Sequence, residues 1–158
     1  MQLDDLFHLL SDEKKCFEAL YHTLVEEYAA LQHQDAAKIQ QLSEQKNSLL
    51  AQLQTHIQQR QAWLTQHQLE VSTTGMNAFL ETLPQQKHCQ LLRQLWQGVI
   101  QQHQQCLQQN EINGRIIHVS RRQTDHLLHV LKGNPASGYD ASGEAVQQHS
   151  EKHLVSKA

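Results

Sequence analysis

The chain has 158 residues, with 6 Gly and 2 Pro, 27 Gln against 8 aromatic side chains, and a formal net charge of −3. So few turn-forming residues, none of them before Gly75, nearly exclude a β-rich or loop-rich fold. The slight acidic balance, with a sequence pI of 6.4, gives no basic footprint for nucleic acid. Gln is a good helix former and a poor core filler, so the composition predicts long helices on a Leu-rich core. The start, Met1-Gln2-Leu3-Asp4-Asp5, lacks the cationic region of a signal peptide, and no apolar run exceeds the four residues from Tyr28 to Leu31. The expectation is a cytoplasmic protein without a membrane span. Cys16, Cys89 and Cys106 are odd in number and show no paired spacing, which fits reduced thiols in that compartment.

Leu3, Leu6, Leu10, Glu13, Phe17, Leu20, Leu24, Glu27 and Leu31 alternate in steps of three and four, a heptad seam that predicts one helix to about His33. Asp35 before Ala36-Ala37 reads as the N-cap of a second helix, through Ile39, Leu42, Leu49, Leu53, Ile57 and Leu64 to about Leu69. A connection this short predicts an antiparallel pair. Glu70 to Gly75 reads as the main loop and Met76 to Leu83 as a short helix, with Pro84 either breaking that helix or opening the next. From Gln85 a third long helix passes Leu92, Leu95, Val99, Cys106, Asn113, Ile117, Leu127 and Leu131 to Lys132, and Gly133 is its C-cap. Residues 134–158 hold few bulky apolar groups and are expected to form a flexible tail. The fold class is therefore all-α: an elongated antiparallel bundle of three long helices plus a short one over residues 1–133, with the tail following.

The candidate chemistry is sparse. Twelve histidines invite a metal site, and His126 with His129, or His103 with Cys106, stand three apart. The paired Glu-x-x-His or His-Glu-x-x-His patterns that a bundle metal site needs do not occur, so no metal or cofactor is expected. No Ser or Cys nucleophile is tied to a base, and no Gly-rich phosphate loop is present, which argues against an enzyme and against a small-molecule substrate. Glu13 and Glu27 fall on the seam itself and must lie near an edge or be paired. His129-Val130-Leu131-Lys132-Gly133 resembles the His-x-Leu-Lys-Gly segment of histidine phosphotransfer domains, an alternative centred on His129. In that family further helices follow the motif, whereas here Asn134-Pro135 does. A generic coiled-coil adaptor is the other alternative.

Four segments in order point elsewhere. Leu42-Ser43-Glu44-Gln45-Lys46-Asn47-Ser48-Leu49-Leu50 resembles the Leu-x-Glu-x-Lys-x-x-Leu-Leu segment of FlgN-type flagellar export chaperones. Asn110-Glu111-Ile112-Asn113-Gly114-Arg115-Ile116-Ile117 resembles their Asn-x-x-Asn-Gly-x-Leu-Ile signature. Leu127-Leu128-His129-Val130-Leu131-Lys132-Gly133 is similar to their hydrophobic helix end, and Tyr139 to Gly143 to their Tyr-x-x-x-Gly tail motif. The resemblance implies a type III export chaperone that binds the hook-associated proteins FlgK and FlgL and docks at the export gate protein FlhA. It makes Asn110, Asn113, Gly114, Ile117, Leu127, Leu128 and Leu131 candidate partner-binding residues, with Tyr139 and Gly143 as the gate contact. From the residues alone Asn113-Gly114 reads as a tolerated kink; the resemblance shifts it toward packing or recognition. A Leu seam with few rings also leaves grooves that suit an amphipathic partner helix.

Overall fold

A computed structural model describes residues 3–131 and forms four helices in the order α1 (Leu3–Gln32), α2 (Ala36–Gln66), α3 (Thr73–Thr82) and α4 (Lys87–Leu131). Three are long and one is short, as the apolar spacing predicts. By packing, the chain divides into two units, Met1–Ile117 and His118–Ala158. The described part of the second is the last stretch of α4, exposed from His118 to His129. The expected boundary between bundle and tail, after Gly133, lies outside the described residues.

In the first unit, the heptad seam of α1 is the core-facing stripe. Leu6, Leu10, Glu13, Phe17, Leu20, Leu24 and Glu27 are all buried, and Leu3 and Leu31 partly so. Gln34 then takes a left-handed conformation, φ 54°, and the Asp35 N–H reaches back to the Ala30 carbonyl at 3.0 Å, which closes α1. The Asp35 carboxylate accepts from the Lys38 N–H at 3.0 Å and starts α2, as its position before Ala36-Ala37 predicts. Side-chain links between α1 and α2 span 47 residues at Arg60–Glu13 and only 19 at Lys46–Glu27, so the two helices run antiparallel.

α2 stops at Gln66 rather than Leu69, because Gln68 is a second left-handed residue, φ 57°, with the Leu69 N–H bonded to the Leu64 carbonyl at 2.9 Å. The loop that follows, residues 67–72, is as long as the sequence suggests but lies three residues earlier. The Ser72 hydroxyl accepts from the Gly75 N–H at 2.8 Å, so Ser72 is an N-cap and Thr73, Thr74 and Gly75 belong to the first turn of α3. Pro84 stands between α3 and α4 and opens neither.

α4 runs parallel to α1. The bonds Cys106–Phe17, Asn113–Leu24 and Asn113–Glu27 join residues 86 to 89 apart, a near-constant offset over two turns. Its buried line is Leu92, Val99, Cys106 and Asn113, every seventh residue. Cys89 and Trp96 fill the neighbouring line, but the next two positions on it, His103 and Asn110, are exposed. α3 bridges α2 and α4 where that line is full. The Phe79 ring lies 5.8 Å from Trp63, and the Trp96 indole N–H donates to Asn77 Oδ1 at 2.7 Å. The Arg93 guanidinium caps the carbonyls of Leu80 at 3.0 Å and Leu83 at 2.6 Å.

Candidate functional site

Beyond α3 the walls formed by α2 and α4 part, leaving an open groove with a cavity of about 240 Å³. Its floor is the α1 seam at Phe17, Leu20 and Leu24. One wall is the α2 stripe Lys46, Leu50, Leu53 and Ile57; the other is His103, Cys106, Leu107 and Asn110 of α4. Both walls repeat at helical spacing, so each presents a continuous line of side chains. Leu50 and Leu107 stand at the mouth, 46% and 57% exposed, a cost in water that neither repays within the chain.

The thiols at and near the groove are held protonated. The Cys106 thiol donates to the Phe17 carbonyl at 3.4 Å, and burial, with Cys16 second, pushes its pKa up to about 11. Cys16 is also raised, by burial and then by Glu13, and donates to the Leu49 carbonyl. Thiols held protonated in this way are poor nucleophiles. His103 rests against Phe17 with ring centroids 5.3 Å apart. Among the described residues no three His, Cys, Asp or Glu side chains gather as metal ligands, and no helix is long and apolar enough to cross a membrane.

A buried network closes one end of the groove. Asn113, 1% exposed, donates through Nδ2 to the Leu24 carbonyl and to Glu27 Oε2, both at 2.8 Å, and accepts from Gln109 Nε2 at 3.0 Å. Lys46 takes the other Glu27 oxygen at 2.5 Å, so one carboxylate ties α1 to α2 and α4 together. The other seam carboxylate, Glu13, is held by both arms of Arg60 at 2.7 and 3.2 Å, and that guanidinium lies 5.0 Å from the Trp96 ring centroid. Both interruptions of the seam are thus paired rather than pushed to an edge.

The residues singled out from the sequence separate by position. Asn110, Gly114 and Ile117 share one side of α4 with His103 and Leu107, a stripe that begins in the groove wall and continues past it. Asn113 faces the interior and is spent on α1. Gly114 neither breaks the helix nor makes room for a neighbour, since a Cβ there would meet nothing within 4 Å. In the second unit Leu127 and Leu128 are exposed, His129 lies in the last turn of α4, and Leu131 is its final residue. Lys132, Gly133, Tyr139 and Gly143 lie outside the described residues. Sequence reasoning did not single out Leu50, Leu53, Ile57 and Leu107 as site residues. The available signal was the α2 segment itself, whose Lys46 and Leu50 both face the groove.

The geometry is that of an all-α bundle with an apolar groove open along one side. A family model described as FlgN protein matches residues 1–147. The chain belongs to the FlgN family, the flagellar export chaperones, a family of chaperones and not of enzymes. Comparison with curated proteins and with solved structures returns no match.

Proposed function

We propose that this chain is a cytoplasmic chaperone that binds the hook-associated proteins FlgK and FlgL and delivers them to the type III export gate protein FlhA. The observation that carries the reading is the family match over residues 1–147. The exposed stripe of α4, with an apolar groove beside it, supports it: holding a client needs accessible apolar surface and no reacting group. In this reading Asn110, Gly114, Ile117, Leu127, Leu128 and Leu131 lie on the client-binding helix, Asn113 fixes that helix in place, and Tyr139 with Gly143 forms the gate contact.

The test is co-purification of the full-length chain with FlgK and with FlgL, followed by a secretion assay of Tyr139→Ala. The expected result is capture of at least one of the two, and a Tyr139→Ala protein that keeps its helical content and its client while secretion falls. Capture of neither overturns the client assignment. Loss of folding in Tyr139→Ala overturns the docking role.

A further inference from the structure

Packing gives no reason for the glycine after Asn113. A helix interior is less stable with Gly than with Ala, yet nothing packs closely at Gly114, where a Cβ would meet no atom within 4 Å. The chain has five Asn, and Asn113 is the one followed by Gly; Ser48, Ala78, Glu111 and Pro135 follow the others. An Asn-Gly step is unusually open to intramolecular attack, because the residue after the Asn carries no side chain to shield its backbone nitrogen.

The fold closes this route at both reacting groups. Within α4 the Gly114 N–H is engaged with the carbonyl four residues back, and a helical backbone holds that nitrogen out of line with Cγ of Asn113. The Asn113 amide is 1% exposed and points into α1. Nδ2 donates to the Leu24 carbonyl and to Glu27 Oε2, both at 2.8 Å, and Oδ1 accepts from Gln109 Nε2 at 3.0 Å.

We propose that Asn113-Gly114 is a fold-gated deamidation site: closed while α4 lies on α1, reactive when this stretch of α4 opens, and unable to close again once it has reacted. In the open state the Gly114 nitrogen gives up its proton and attacks Cγ of Asn113. The Cγ–Nδ2 bond breaks, and ammonia leaves with that proton. The cyclic imide then adds one water, which opens it at either carbonyl to Asp or to an isoaspartyl link. A carboxylate at this position donates to neither acceptor and faces Glu27, while the isoaspartyl product also adds a methylene to the backbone of α4. Either product keeps α4 off α1 here, so a reversible opening becomes permanent.

The test follows the full-length chain in warm, mildly alkaline buffer, with peptide mapping by mass spectrometry to locate the gain of one mass unit. In urea Asn113 should react faster than the other four Asn, and Gly114→Ala should slow it by about tenfold or more. In the native chain it should react at least about a hundredfold more slowly than in urea, as a step that waits on local opening. Glu27→Ala removes one acceptor of the amide and should raise the native rate by about tenfold. Sub-denaturing urea should raise it in wild type too, which serves if Glu27→Ala does not fold. Chains modified in urea and refolded should melt below unmodified chains taken through the same steps, the Asp product melting like Asn113→Asp. Slower reaction at Asn113 than at Asn47 in urea overturns the site. Equal rates in native and unfolded chains, or a native rate that neither Glu27→Ala nor urea changes, overturns the gate. Modified chains that melt like unmodified ones overturn the permanent opening.

Discussion

The Asn113 amide stands 2.8 Å from the Glu27 carboxylate and 2.8 Å from the Leu24 carbonyl, so a single buried side chain of α4 satisfies two acceptors of α1. Removing it leaves those acceptors short of a donor in a dry site. Asn113→Ala should therefore lower unfolding stability by about 1–3 kcal/mol in urea titrations. Asn113→Asp should cost more at neutral pH, because two carboxylates then face each other, and acidification that neutralises one of them should narrow the gap between the two variants.

Glu13 and Arg60 form a pair of the kind that is costly to break and easy to replace. Arg60→Met leaves the Glu13 carboxylate buried without its partner, with an expected loss of about 3–5 kcal/mol. Glu13→Leu combined with Arg60→Met should return most of that stability. A double-mutant cycle followed by thermal melts measures both. A double variant as unstable as Arg60→Met alone would show that the pair does more than neutralise itself.

Alkaline stability should report on the buried thiols. The unfolded thiol titrates near 9.0, while Cys106 in the fold titrates at about 11. Between those values the unfolded chain has lost a proton that the folded chain retains. The contribution is fully present below pH 9 and is lost as the pH rises toward 11. Cys106→Ala should flatten this part of the stability profile, whatever its effect at pH 7, and the native protein should react slowly with a thiol reagent at pH 8.

Two glycines should respond oppositely to the same change. A Cβ at Gly75 would lie 2.3 Å from the Glu70 carbonyl oxygen, so Gly75→Ala must distort the start of α3. At Gly114 a Cβ meets nothing, and Gly114→Ala should raise stability by about 1 kcal/mol, the ordinary helix-interior difference. Equal destabilisation by the two would contradict the geometry.

The left-handed Gln34 and Gln68 occupy positions that glycine fits without strain. Gln34→Gly should stabilise the α1–α2 connection by about 0.5–1 kcal/mol, read as a shift in melting temperature.

The helices were legible because their signal is periodic: every member of the α1 seam is buried or partly so, and Asp35 caps α2 as its local chemistry dictates. The turns were less so. Scarce Gly and Pro imply few turns, and the chain makes two of its helix ends with Gln, a residue that carries no turn signature. The early start of α3 was missed because Val71-Ser72-Thr73-Thr74 reads as loop until the Ser72 hydroxyl is seen on the Gly75 N–H. At the candidate site the sequence grouped Asn110, Asn113, Gly114 and Ile117 as one motif. Only packing tells which of them turn inward, because that depends on where α1 lies. The groove was least visible of all, since it is an absence between α2 and α4 and no local pattern encodes an absence.

A bundle whose interior is mostly leucine risks having several near-equal ways to align its helices, because one aliphatic layer resembles the next. On α4 the repeating buried positions are Leu92, Val99, Cys106 and Asn113. Sliding α4 along α1 by seven residues would still set apolar side chains against apolar ones over most of this length. It would also bring Cys106, a weak donor, to the Glu27 carboxylate and carry the Asn113 amide away from both of its acceptors. One polar side chain at the end of an apolar series thus selects a single alignment out of several, and so decides which exposed residues of α4 border the groove.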